Sequence, residues 1–381
     1  SLVGSEMCIR DSLYNVQRAK HAGPWSAEWK LSTRAGQNGK KPGRDDGLRL
    51  RLTVASADDA EVNICDGRSP AGGPYEMKWI MLRREAPAPA TTQVISLIEP
   101  HFGKPAIRSV RTIELSGADE QGLSAQGCEV QGAEYTDTIL ASADPTVLRA
   151  AEPGLRFAGR FGFYREKDGV PVAMVLVGGT RLAKGGFGIT LQSPEYRGKI
   201  VRVDRQTETI TVAPAPPNPG AMVESQVFIT NADRRVAYKV LAAEPDPDGA
   251  RLRLNWDSRI GIGQSAGATD FQIHTRTPFT LQRFRYYHGA RVASAAGGAE
   301  YRIIEVRSGR AVFIDPKLHP EAKADRLARE FPTDSWFDIY DYGVGDEVVW
   351  PYSVSVVVQS PGVYRLAAPV PVKAELPEGG D

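Results

Sequence analysis

The stretch Gly47-Leu-Arg-Leu-Arg-Leu-Thr-Val54 is the strongest constraint on what this chain can become. Leu48, Leu50, Leu52 and Val54 occupy every second position, with arginines between the leucines. A period of two puts one set of side chains on each face of a strand, whereas a helix would need apolar residues every three or four positions. The expected element is an antiparallel strand with its leucine face on a core and its arginines on the other side. Shorter stretches of the same kind follow at 60–65 (ending in the turn pair Asp66-Gly67), 78–83, 92–98, 107–115, 156–164, 170–177 and 187–191. Most are separated by Gly, Pro or Asp, drawn from 38 glycines and 27 prolines. Regular short strands with turn punctuation predict a mostly β fold. The expected architecture is an antiparallel β-sandwich of layered sheets, with an appended small β-barrel or sheet subdomain and few short helices.

The pattern tightens after Gly198. Residues 199–204 and 208–212 read as a hairpin about Arg205-Gln-Thr207, and 226–230, 237–242 and 251–255 as further strands. The stretch APAPPNPG at 213–220 is a loop, because proline has no N–H for a strand ladder. Four segments are expected: 1–12 outside the fold, a sandwich over 13–196, a small β subdomain over 197–275, and 276–381. The last contains strands at 300–306, 311–314, 336–340, 347–349 and 353–358, which either complete the sandwich or form a second β unit. Residues 320–330, rich in Ala, Lys, Arg and Glu, predict one short surface helix, too short to be stable alone. No repeat of 20–50 residues is visible, which argues against a solenoid or propeller.

The opening Ser-Leu-Val-Gly-Ser-Glu-Met-Cys-Ile-Arg-Asp-Ser12 has neither a strand pattern nor the features of a signal peptide. Met7–Ser12 can be back-translated as ATG TGT ATA AGA GAC AG, and the whole stretch resembles one reading frame of a transposase-type sequencing adapter. It is therefore set aside, and the native N-terminus is expected upstream of Leu13. Excluding these twelve residues, with Arg10, Glu6 and Asp11, leaves 46 basic and 44 acidic side chains. That balance gives no reason to expect a nucleic-acid partner, which would normally require a basic stripe. No apolar run of about 18 residues is present to span a membrane as a helix. Cys65 and Cys128 remain, in no CxxC or Cys/His cluster, so zinc is unsupported; they permit one disulfide without requiring it.

Catalytic motifs are scarce. His21, His101, His274, His288 and His319 have no metal-ligand spacing, and neither HExxH nor GxSxG occurs. Val177–Gly188 is glycine-rich, but Lys184 precedes Gly185 and no helix follows, so two turns about a short strand are expected rather than a phosphate loop. Asp334/Asp338 and Asp338/Asp341 are spaced like carboxylate pairs but have no partner for acid–base work. Aromatic residues are the remaining lead, since an aromatic face with polar neighbours suits a sugar ring. Tyr286, Tyr287 and His288 are adjacent, read as a strand whose members cannot all face a core. Trp336, Tyr340 and Trp350 stand in an aromatic-rich tail with Tyr342 and Tyr352. These six residues are the candidate carbohydrate-binding set, against the alternative that they fill the core. No catalytic residue, metal ligand or cofactor is indicated.

Several stretches in order are similar to one family. Trp25-Ser-Ala-Glu-Trp29, Gln93-Val-Ile-Ser-Leu-Ile-Glu-Pro100, Pro105-Ala-Ile-Arg-Ser-Val110, Gly159-Arg-Phe-Gly-Phe163, Gly198-Lys-Ile-Val-Arg-Val-Asp204, Tyr286-Tyr-His-Gly-Ala-Arg291 and Tyr340-Asp-Tyr-Gly-Val-Gly-Asp346 resemble the C-terminal β region of heparinase II/III-like proteins. The resemblance spans most of 13–375 and rests on strand patterns and turns. It implies a polysaccharide lyase with an N-terminal helical toroid followed by layered antiparallel sheets. Its chemistry would be β-elimination at a uronic acid: a group that neutralises the carboxylate, and a Tyr or His base that removes the C5 proton. No position here matches the family's catalytic pattern, so none is carried over. The resemblance further implies an acidic polysaccharide as partner, a helical domain of the same chain upstream of Leu13, a periplasmic or extracellular setting, and no activity for residues 13–381 alone. The alternative is a non-catalytic carbohydrate-binding or cell-surface β-module, with a structural assembly domain as a third possibility.

Overall fold

The computed structural model describes residues 13–21, 23–32, 45–55, 60–68, 76–85, 87, 94–117, 125–151, 153–279 and 285–376. Residues 1–12 and the start of the strand expected at 92–98 lie outside them. The chain is mostly β, in multiple antiparallel sheets, and it divides into two compact units. One comprises 1–191 with 354–367 and 373–381; the other comprises 192–353 with 368–372.

Among the described residues, the first unit holds four open sheets. Asp45–Val54 lies between Trp25–Ser32 and Ser96–Phe102, and Ala60–Arg68 lies between Leu13–His21 and Glu76–Arg83. A seven-stranded sheet and a five-stranded sheet pack face to face. The Tyr164 ring of the larger meets Phe187 of the smaller edge-on at 6.0 Å. A Cβ on Gly162 would lie 3.0 Å from the Phe157 ring, so the two sheets touch closely there. The glycine-rich 177–188 region forms the expected turns, with Gly185-Gly186 joining Arg181–Lys184 to Phe187–Thr190. Cys65 and Cys128 are both buried free thiols, and burial pushes Cys128 up to about 11.

The leucine–arginine strand is antiparallel as expected, but its arginine side is not simply solvated. Arg51 Nη2 donates to Glu99 Oε2 at 2.7 Å and to the Ile107 carbonyl at 2.6 Å. Glu99 Oε1 accepts the Ala106 and Ile107 N–H groups. Burial works to raise the Glu99 pKa, but these N–H groups and Arg51 outweigh it and hold the carboxyl below its ordinary value.

Among the described residues, the second unit holds two closed six-stranded antiparallel barrels. In the first, Glu195–Asp204, Thr209–Ala213, Gly249–Leu254, Arg235–Asp246, Gln226–Thr230 and Glu347–Pro351 follow in order, and the last pairs with the first. In the second, the order is Arg259–Thr269, Gln272–Thr275, Ala311–Ile314, Glu300–Arg307, Arg291–Ser294 and Trp336–Tyr340, which closes on 259–264. Strands 259–275 thus share a barrel with 291–340, so the division expected at 275/276 falls within a closed sheet. Barrel closure removes the exposed edges an open sheet would leave.

The only α-helix among the described residues is Ala324–Glu330, and it is less superficial than expected. Leu327 and the following Phe331 are fully buried with Ile273, Tyr301, Ile303 and Phe337 in the second barrel's core. A seven-residue helix has little stability of its own, so this packing is what fixes it. Asp270 Oδ1 accepts the Ala324 N–H at 2.8 Å, doing for the first turn what a local cap would do.

Inside the second barrel, Gly263 faces Phe337 across the 259–269 and 336–340 pair. A Cβ there would lie 2.3 Å from Phe337 Cζ. Overpacking of this kind costs about 1–3 kcal/mol. Gly263→Ala should therefore lower unfolding stability by about that amount in a urea titration. Combining it with Phe337→Leu should recover part of the loss relative to the sum of the single changes.

Candidate functional site

The site begins with the alternation of Trp336-Phe-Asp-Ile-Tyr340. Phe337 and Ile339 are fully buried in the barrel, opposite Gly263 and Gly261. Trp336, Asp338 and Tyr340 therefore share the outer face, with Gln264, Ile262 and Arg259 beside them on the neighbouring strand. Trp336 leaves 50% of its surface exposed and Ile262 nearly as much. Ala293, beside Asp338 on the opposite neighbour, adds little bulk.

Asp338 organises this face. Its Oδ2 accepts the Tyr340 hydroxyl at 3.2 Å, and its Oδ1 lies 3.5 Å from Arg259 Nη1 without a hydrogen bond. One buried carboxylate thus orients a phenol and tethers a half-exposed guanidinium. Arg259 has a second, looser carboxylate neighbour, Asp257, at 3.7 Å. The Arg205 guanidinium lies over the Tyr340 ring, 4.1 Å from its centre. Arg205 is itself fixed by two nitrogens on Glu300 and by the Tyr342 carbonyl. Burial, then the Asp338 charge and hydrogen bond, push the Tyr340 phenol up to about 12. Chemically, the face offers an indole plane on the same sheet face as a cation, a phenol and a fixed carboxylate.

The structure separates the six expected residues. Trp336 and Tyr340 lie together on this face. Trp350 is buried in the first barrel, opposite Tyr196 and edge-on to Tyr352 at 5.3 Å, so it packs rather than presents a surface. Tyr286–His288 is a turn and not a strand, since the His288 N–H returns to the Arg285 carbonyl at 3.0 Å with Arg285 at φ +55°. In this turn Tyr287 enters the second barrel's core beside Phe279 at 5.2 Å. Tyr286 remains partly exposed beneath the Arg234 guanidinium, which also donates to its carbonyl. His288 Nδ1 accepts from Arg285 Nε at 3.2 Å, and burial followed by the Arg285 charge lowers its pKa. Arg259 and Arg205 were not evident in the sequence, because their proximity to Tyr340 depends on barrel closure.

A separate open cleft of about 570 Å³ is lined by Asn231, Arg291, Arg302, His319, Asp346 and Glu347 among others. Its charges are matched within the protein: Arg291 pairs with Asp346, Arg302 with Asp233 and Glu347 with Arg197. Among the described residues, no group of three or more His, Cys, Asp or Glu could hold a metal ion, and no helix is long and apolar enough to cross a membrane.

Tyr340 gives a pH prediction. Its folded pKa of about 12 lies above the ordinary 10.0, so the folded state keeps the proton that the unfolded chain releases first. Its contribution is complete below pH 10 and should be lost as pH rises from 10 through 12, visible in denaturant titrations across that range. In Asp338→Asn, ultraviolet difference titration should show this phenol ionising at lower pH.

Comparison with known proteins supplies no relative: no family model, no curated protein and no solved structure matches the chain.

Proposed function

We propose that the chain is the C-terminal β region of a heparinase II/III-like polysaccharide lyase and that it holds an acidic polysaccharide. The observation that carries the binding role is Trp336, a half-exposed indole on a strand that also presents Asp338 and Tyr340, with Arg259 tethered alongside. The CH face of a sugar stacks on the indole, while its hydroxyls exchange hydrogen bonds with Tyr340 and Arg259. The uronate carboxylate takes the edge of Arg259 that now faces Asp257. That exposed pair, 3.7 Å apart, is weak enough to be displaced, because exposed ion pairs are worth about 0–1 kcal/mol. The elimination step belongs to other residues of the parent enzyme, in a helical domain of the same chain. Such an enzyme would work in the periplasm or outside the cell.

A free-standing carbohydrate-binding or cell-surface module is the second reading. It is favoured because Trp336, Asp338, Tyr340 and Arg259 all come from one barrel, so the face assembles without another domain.

Calorimetric titration of the chain with heparan sulfate, alginate and chondroitin should show binding to at least one. Trp336→Ala should weaken that binding at least about tenfold, or 1.4 kcal/mol. Its unfolding stability should change by no more than about 0.5 kcal/mol, as expected for an exposed side chain. Asp257→Asn should strengthen the same binding by about two- to fivefold, by freeing Arg259. Absence of binding to all three, or binding unaffected by Trp336→Ala, would defeat the glycan-holding role. An in-frame upstream coding sequence without a helical segment bearing Tyr or His would defeat the lyase assignment and leave the module.

A further inference from the structure

Trp256 stands in the turn Asn255-Trp-Asp-Ser258, just before the strand that carries Arg259, with 70% of its surface exposed. A large indole in a polar turn loses the burial that normally rewards such a side chain. The turn is nonetheless held firmly on both sides. Asn255 exchanges two hydrogen bonds with the Lys239 backbone: its Oδ1 accepts at 2.9 Å and its N–H donates at 3.1 Å. Ser258, fully buried, donates its N–H to Glu208 Oε2 at 3.1 Å and accepts the Asp341 N–H at 2.8 Å. Asp257 Oδ1 accepts the Arg259 N–H at 2.7 Å. The backbone that carries this exposed indole is thus pinned by five hydrogen bonds, which limits the ordering cost of contacting a ligand.

Arg259 lies three positions after Trp256, a backbone reach of at most about 11 Å. On the other side, the outer row from Arg259 and Tyr340 to Gln264 and Trp336 covers four residues of strand, or about 13 Å. The only cation placed between the two exposed indoles along this path is Arg259, among the described residues of the two strands and the turn. We infer that Trp256 is a second stacking platform, and that Trp256, Arg259 and Trp336 together bind an interior stretch of an acidic glycan chain, with a carboxylate-bearing unit at Arg259 between two stacked sugars. This rests on the glycan-holding role proposed for Trp336, and it adds that the site is extended and takes chain interiors rather than single terminal sugars. An indole on each side of one cation also accounts for where a neutral sugar and an acidic sugar would each find a complementary surface.

The experiment uses the chain as it stands and size-defined di-, tetra- and hexasaccharides prepared from whichever of the three polymers binds. Affinity of the unaltered protein should rise at least tenfold from disaccharide to hexasaccharide. Trp256→Ala should abolish this rise, leaving the hexasaccharide near the disaccharide value, with disaccharide affinity changed less than twofold. Trp336→Ala should weaken binding at every length. Circular dichroism and urea unfolding of both variants should match the unaltered protein, since both indoles are exposed. Hexasaccharide binding unchanged by Trp256→Ala, while Trp336→Ala still weakens it, would overturn the second platform and leave the Trp336 site standing. Insensitivity to both substitutions, or no length dependence in the unaltered protein together with no effect of Trp336→Ala, would overturn the two proposals together.

Discussion

Closure of the second barrel by Trp336–Tyr340 is the constraint on which the candidate site depends. This strand pairs with 259–264 on one side and with 291–294 on the other. Its period-two alternation divides its five side chains between two jobs. Phe337 and Ile339 fill the interior and fix the register, which in turn sets Trp336, Asp338 and Tyr340 outward. A slip of one residue would bring Trp336 and Asp338 into the core and push Phe337 out, so core packing and site geometry are enforced by the same contacts. The missing side chains at Gly261 and Gly263 belong to the same arrangement, because they leave the room that Ile339 and Phe337 occupy.

Around this frame, charge is used for position more than for net attraction. Asp338 holds Arg259 and Tyr340, Glu300 holds Arg205 over Tyr340, and Asp341 and the Tyr286 carbonyl hold Arg234. Paired groups of this kind are preorganised and lose little freedom when a polar ligand arrives. Their pairing also keeps this surface from carrying a strong field of either sign, in keeping with the near-balanced charge of the whole chain.

Much of the fold could be read from local pattern, and much of the site could not. The alternation at 47–54, the hairpin about 205–207 and the turns about Gly185-Gly186 are properties of a few neighbouring residues, and they form as expected. Trp336 and Tyr340 were legible for a similar reason, since they alternate with apolar neighbours. Tyr286–His288 misled because positive φ at Arg285 makes a turn, in which adjacent side chains no longer take opposite faces in sequence and Tyr287 enters the core. Trp350 misled because an aromatic residue beside Pro351 looks the same in sequence whether it lines a barrel or a surface. Arg259 lies 81 positions from its register partner Tyr340, and no local pattern connects them. Trp256 did leave a signal, a bulky apolar residue within Asn-Trp-Asp-Ser, but one overshadowed by the richer aromatic tail.

The connectivity of the barrels bears on how the chain reaches its folded form. Every strand of the second barrel lies between residues 259 and 340, while the first barrel is built from 195–254 and then closed by 347–351. The second is therefore an insertion within the chain of the first. The sandwich repeats this nesting, because Ser353–Ser360 joins its seven-stranded sheet after both barrels have been traversed. Contacts such as Arg197 with Glu347 join residues 150 apart, and loop closure of that length slows folding unless the intervening chain has already condensed. The inner barrel, whose pairings span at most 81 positions, is suited to condense first and bring 254 and 347 within reach. Assembly would then proceed outward from the part of the chain that carries Trp336 and Arg259, and a lesion in that inner barrel would be felt in every layer that closes after it.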